Sequence, residues 1–173
     1  MEHEINQKFS KMLKAIAVLA FLAMGVAAYL VYLHYEPAAG EYCNLSANFN
    51  CDIVNKSQWS YIALGSLEIP VAVFGFIYYM GIFVGSVGIL GKVKFTSIHK
   101  WLEPLHVIRL MRWLTYIGVL FTLYLTYIET FVLFTYCIFC LIQQVLILGI
   151  LGLFFAMNRT GKRKHREKDC CCE

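Results

Sequence analysis

Four long apolar runs constrain this chain more than anything else in it. They cover about 15–33, 69–90, 110–128 and 134–157, separated by polar or charged segments. A run of about 20 apolar residues matches the thickness of a bilayer core. A chain with four of them has few folds open to it, because backbone polar groups inside lipid must be satisfied within helices or a closed barrel. The runs are continuous and lack the alternation of barrel strands, so they predict helices. The expected fold is an all-α integral membrane protein, one domain over 1–173, built as a four-helix bundle. The first run is too long for a signal-peptide core and has no small-x-small cleavage site, so it reads as a retained helix.

Composition closes off the alternatives. Hydrophobic residues make up 60% of the chain and charged residues 15%. An ordinary soluble domain is nearer 45–50% and about 25%. No cluster of basic residues interleaved with aromatics is present, which argues against nucleic acid.

Charge distribution gives the topology. Of the 15 Lys and Arg residues, 14 lie in the N-terminal stretch, the connector around 91–112 and the tail 158–173. With four spans these three segments fall on one side, and Lys56 alone falls on the other. The positive-inside rule then puts both termini in the cytoplasm. Segment 36–68 and the short link near 129–134 face the periplasm, the exterior or a lumen. Within 36–68, Ser57–Leu64 reads as a short interfacial helix capping the bundle, with Trp59 and Tyr61 as anchors. Pro70 suits the first turn of the second span. Gly75, Gly81, Gly85 and Gly88 suit close packing between spans. Glu129 and Thr130 mark the end of the third span. The basic tail suits anionic lipid.

This topology gathers four of the seven cysteines at the outer face, where disulfides are permitted. Cys43 and Cys51 occupy the loop. Cys137 and Cys140 sit at i and i+3 at the head of the last span, on one helix face. A helix N-terminus favours a thiolate. A mobile pair beside a fixed pair is the layout of a thiol–disulfide relay, with a lipid-soluble quinone as terminal acceptor. Two static staples or a four-thiolate zinc site remain open on these residues. The seven residues between Cys43 and Cys51 fit zinc-ligand spacing poorly, and a staple across Cys137–Cys140 would constrain little chain. A non-catalytic four-span scaffold would need a large cysteine-rich second outer loop. A cation carrier would need acids and bases in the span centres. Neither feature is present, and no metal is expected. Cys170, Cys171 and Cys172 lie across the membrane and take no part in the relay. His99 and His106 read as interfacial, Tyr124 and Tyr127 as packing or interface residues. Gln143 reads as pocket lining or helix-to-helix bonding; Gln144 shares the cysteine face.

At this point the residues match a family. Cys51-Asp52-Ile53-Val54-Asn55-Lys56-Ser57-Gln58-Trp59, with Cys43 eight residues earlier, resembles the loop of the vitamin K epoxide reductase family of membrane thiol oxidoreductases. The run Gly65–Gly75 resembles its bacterial members, and Cys137-Ile138-Phe139-Cys140 resembles its active-site pair. The resemblance spans residues 12 to 157. It implies that Cys43 receives electrons from a thioredoxin-fold, DsbA-like partner, a separate protein because no such domain is fused. Cys51 then passes them to Cys137, and Cys140 reacts with a quinone of ubiquinone, menaquinone or vitamin K type. It implies that Ser57, Trp59, Val71, Phe74 and Gln144 belong to the substrate site, with Ser57 supporting the relay. Val71 and Gln144 stand where vertebrate members carry asparagine and tyrosine. The expected reaction is therefore plain quinone reduction coupled to disulfide formation, with epoxide reduction as the alternative.

Overall fold

The structure is a computed structural model that describes residues 2–36, 44, 49–64, 67–91 and 104–169. It contains four helices long and apolar enough to cross a membrane, over Gln7–Tyr35, Val71–Leu90, Leu105–Leu133 and Ile138–Thr160. The elements in order are α1 (Glu2–Tyr35), α2 (Cys51–Asn55), β1 (Tyr61–Leu64), β2 (Leu67–Pro70), α3 (Val71–Leu90), α4 (Pro104–Ile128), a π-helical turn (Glu129–Leu133) and α5 (Ile138–Asp169).

The first helix is the centre of the bundle. Leu13, Ile16, Ala20, Ala23 and Ala27 recur at helical spacing and are all buried. They pack with Tyr79 and Ile82 of α3, Met111 of α4, and Ile150, Phe154 and Met157 of α5. In lipid no hydrophobic force distinguishes one apolar neighbour from another, so close approach decides which helices associate. The alanines supply it on α1. Gly85 supplies it on α3, where a Cβ would come within 2.9 Å of Met111 Sδ, and Gly118 on α4, where it would meet Ile147 Cδ1 at 2.7 Å. Gly75 and Gly81 instead face open space, so those two are not packing glycines.

Several boundaries differ from the sequence reading. Helix α1 begins well before residue 15, because Leu13 already packs in the core and the lysines before it project outward from the same helix. The fourth helix runs past the apolar stretch to Asp169. The capping segment differs in kind. The expected helix over Ser57–Leu64 is absent, and the short helix lies earlier, at Cys51–Asn55. Asn50 starts it by accepting the Ile53 N–H at 3.1 Å, the usual satisfaction of a helix-start donor. Residues 61–64 form an antiparallel hairpin with 67–70, in register Tyr61↔Pro70 to Leu64↔Leu67. Pro70 therefore ends a strand and caps α3 rather than entering its first turn. Pairing with β2 satisfies the backbone of β1 without a helix, and the Val71 N–H donates back to Ser60 O at 2.8 Å. Cys43, the 92–100 part of the basic connector and the three tail cysteines lie outside the described residues.

Candidate functional site

The link between α4 and α5 positions the site. Rather than forming a loop, the chain after Ile128 widens into a π-helical turn, a feature common at functional positions. It ends at Phe134, whose backbone is left-handed with φ 51° and ψ 29°. This reverses the chain, and Thr135 donates its N–H back to Glu129 O at 3.2 Å. Residues 135–137 then run beside the start of the capping segment. Phe49 and Tyr136 form a parallel bridge, and Asn50 N–H donates to Tyr136 O at 3.2 Å. Cys137 follows that bridge by one residue and Cys51 by two.

Their sulfurs are 3.4 Å apart. Cys51 is disulfide-bonded, while Cys137 and Cys140 are free thiols. A dithiol therefore faces a disulfide, with the Cys137 sulfur fully buried at 0% exposure and Cys51 at 1%. Leu30, Leu33 and Val54 enclose the two sulfurs. The capping segment is tied down from below: Asn55 Nδ2 donates to Leu30 O at 2.9 Å, and His34 Nδ1 donates to Asn55 O at 2.8 Å.

Cys137 precedes the first helical residue, Ile138, and Cys140 lies in the first turn. The Cys140 thiol donates to the Cys137 sulfur, and the Cys140 N–H points at it from 3.4 Å. These bonds, with one from Phe139 N–H, hold the Cys137 thiol below its ordinary pKa, against the opposing effects of burial and of Glu129. Donors directed at a sulfur favour its thiolate, the nucleophilic form.

Beneath the pair lies a cavity of about 340 Å³, within the range of small-ligand sites. Cys140 opens onto it, and Cys137 does not. Its walls are chiefly apolar and come from α1, the capping segment, α3, α4 and α5. Of the residues expected at a substrate site, Ser57, Trp59, Val71 and Phe74 line it. Gln144 does not; its Oε1 accepts from Thr126 Oγ1 at 2.8 Å, and Gln143 is the glutamine on the cavity wall. Ser57 Oγ donates to Val54 O at 2.8 Å, supporting the turn after α2 rather than a cysteine sulfur.

Sequence reasoning missed Glu129. It read as punctuation between spans, yet it is 2% exposed, and its Oε2 accepts the Cys137 N–H at 3.4 Å. The available signal was the lone charged residue between Arg112 and Arg159, eight positions before Cys137, since an ionisable group at membrane depth is a functional candidate by default.

A four-span bundle that holds a free Cys-x-x-Cys pair against a disulfide-bonded cysteine defines a class: membrane-embedded thiol–disulfide oxidoreductases. The comparison with known families agrees. The family model described as "Vitamin K epoxide reductase family" matches residues 14–155. The chain belongs to the vitamin K epoxide reductase family and is an integral-membrane oxidoreductase. Among curated proteins, none is similar enough to match.

Proposed function

We propose that the protein is a thiol:quinone oxidoreductase that supports disulfide formation in proteins on the outer side of its membrane. The observation that carries this reading is the 3.4 Å approach of Cys137 to the disulfide-bonded Cys51, with Cys140 facing the cavity. Cys43 is the natural disulfide partner of Cys51 and the entry point for electrons from a thioredoxin-fold protein. That partner reduces the Cys43–Cys51 disulfide, and Cys51 thiolate attacks Cys137 of the oxidised Cys137–Cys140 pair. Cys43 then displaces Cys137, re-forming the loop disulfide and leaving the fixed pair as the dithiol seen here. The fixed pair returns to its disulfide by giving two electrons and two protons to a quinone in the cavity.

The charge bias of the sequence orients this site to the periplasmic, extracellular or lumenal face. Val71 gives the cavity wall no hydrogen-bond donor, which favours plain quinone over epoxide as substrate. The test uses membranes carrying the full chain, a reduced DsbA-like protein and a short-chain ubiquinone. Wild type reduces the quinone, and Cys140→Ala does not. Quinone reduction by Cys140→Ala at the wild-type rate would falsify the reading.

A further inference from the structure

The cavity holds more polar chemistry than two sulfurs. Glu129 and Cys140 both line it, and the Glu129 carboxyl accepts the Cys137 N–H at 3.4 Å. Glu129 is buried, and the ion pair among the described residues, Asp52 with Lys56, does not involve it. A buried carboxyl without a cation is expensive to keep for structure alone. Its neighbours are the two reacting thiols.

A second group points the same way. Gln143 is 8% exposed and lines the same cavity, and its Oε1 has no hydrogen-bond partner among the described residues. The amide orientation is fixed, because Nε2 donates to Ala23 O at 3.0 Å and a carbonyl can only accept. The orphan is therefore an acceptor. A quinone presents only acceptors, whereas a quinol presents two O–H donors. Glu129 and Gln143, two of the polar groups lining the cavity, match the reduced, protonated ring.

We propose that Glu129 is a catalytic acid–base, taking the proton of the Cys140 thiol and delivering it to a ring oxygen of the quinone, while Gln143 Oε1 accepts a hydroxyl of the product. The proposal rests on the thiol:quinone reading above. The balance is as follows. Cys137, as thiolate, closes on the Cys140 sulfur, and the S–S bond forms. Two electrons leave through Cys140 to the ring. The Cys140 proton travels by Glu129 to one ring oxygen. The Cys137 proton, released to water on ionisation, is matched by one taken from water at the other oxygen. One dithiol and one quinone give one disulfide and one quinol.

Glu129→Gln separates this role from a structural one. The amide keeps the volume and an oxygen for the Cys137 N–H, but it cannot carry the proton. In membranes pre-reduced with dithiothreitol and mixed with a short-chain ubiquinone, kcat of Glu129→Gln falls about 100-fold, the lower range for general acid–base catalysis. In a Cys43→Ala/Cys140→Ala background, Glu129→Gln still forms the Cys51–Cys137 disulfide in full yield. Formate, supplied to Glu129→Ala, restores part of its rate. An unchanged kcat in Glu129→Gln, loss of the cross-link with it, or no recovery with formate overturns the proposal. A wild-type protein that reduces no quinone overturns instead the reading on which it rests.

Discussion

The Cys137 sulfur lies 3.4 Å from the Cys51 sulfur, although 86 residues separate them in the chain. The Phe49–Tyr136 bridge sets that register. A disulfide needs about 2.05 Å between sulfurs, so a shift of little more than an ångström joins them. Removing both competing cysteines, as Cys43→Ala/Cys140→Ala, leaves this pair to oxidise on its own. The expected product is an intramolecular Cys51–Cys137 disulfide, read as lost maleimide labelling on both cysteines and restored by dithiothreitol. Full labelling under mild oxidant would count against electron transfer between the two pairs.

Cys137 should ionise at lower pH than an ordinary thiol, whose pKa is about 8.5. The cause is the Cys140 thiol donating to it, followed by N–H groups at the start of α5. A depressed folded-state pKa means the thiolate persists as pH falls below the usual value. Its contribution to stability is present above the unfolded pKa and is lost as pH falls through the folded one. Rates of Cys137 alkylation by a small reagent, measured against pH in Cys51→Ala protein, should rise at lower pH than for a free cysteine. Cys140→Ala in that background should move the profile upward. An unmoved profile would mean that Cys140 does not activate Cys137.

Asn55 joins the capping segment to α1 through its bond to Leu30 O, and it is 7% exposed. Asn55→Leu leaves similar volume without the donor. Loss of a buried hydrogen bond costs about 1–3 kcal/mol. The variant should melt earlier in a thermal scan with a thiol-reactive dye, because lifting the cap exposes Cys137. A melting temperature equal to wild type would show that the cap is held by other contacts.

The legible part of this protein was the part written in long patterns. Span number follows from apolar length, which the bilayer imposes on any such chain. Charge counting put the four cysteines at one face, and the step from Cys51 to Cys137 came from the family resemblance rather than from spacing. The cap was misread because residues 57–64 carry aromatics at positions that suit either a surface helix or a strand; only pairing of Tyr61–Leu64 with Leu67–Pro70 separates the two. Glu129 was missed for a similar reason. Its burial depends on the helix continuing as a π-turn to Leu133, and one extra residue in a turn leaves no periodic trace. Choosing Gln144 over Gln143 shows the limit of helical-face arguments: both lie one turn from Cys140, and the partners on α1 and α4 decide their roles.

Phe134 holds a left-handed backbone although it has a side chain, at a cost of about 1–2 kcal/mol. It is 73% exposed, so its ring adds little packing within the chain. Phe134→Gly should be neutral or stabilising, since relief of strain offsets the looser unfolded chain. Phe134→Val should destabilise, because a β-branched residue fits that conformation worse. The order Gly, Phe, Val in resistance to thermal inactivation is the check; Val equal to Gly would show that the turn does not require this backbone geometry.

Gly75 gives the means to close the cavity without disturbing the sulfurs. A Cβ placed there meets no heavy atom within 4 Å, yet the residue lines the cavity. Gly75→Leu should therefore fold and fill part of the space where a quinone ring would sit. Gly81 on the same helix is also open at Cβ but lies off the cavity, so Gly81→Leu is the matched control for helix propensity and lipid contact. With a short-chain ubiquinone, KM of Gly75→Leu should rise about tenfold or more, the effect of losing roughly 1.4 kcal/mol of binding. Cross-linking of Cys51 to Cys137 in the Cys43→Ala/Cys140→Ala background should match wild type in both glycine variants, because neither side chain reaches that contact. If Gly75→Leu and Gly81→Leu show the same KM, the acceptor binds elsewhere, and Cys140 must deliver its electrons by another face of the bundle.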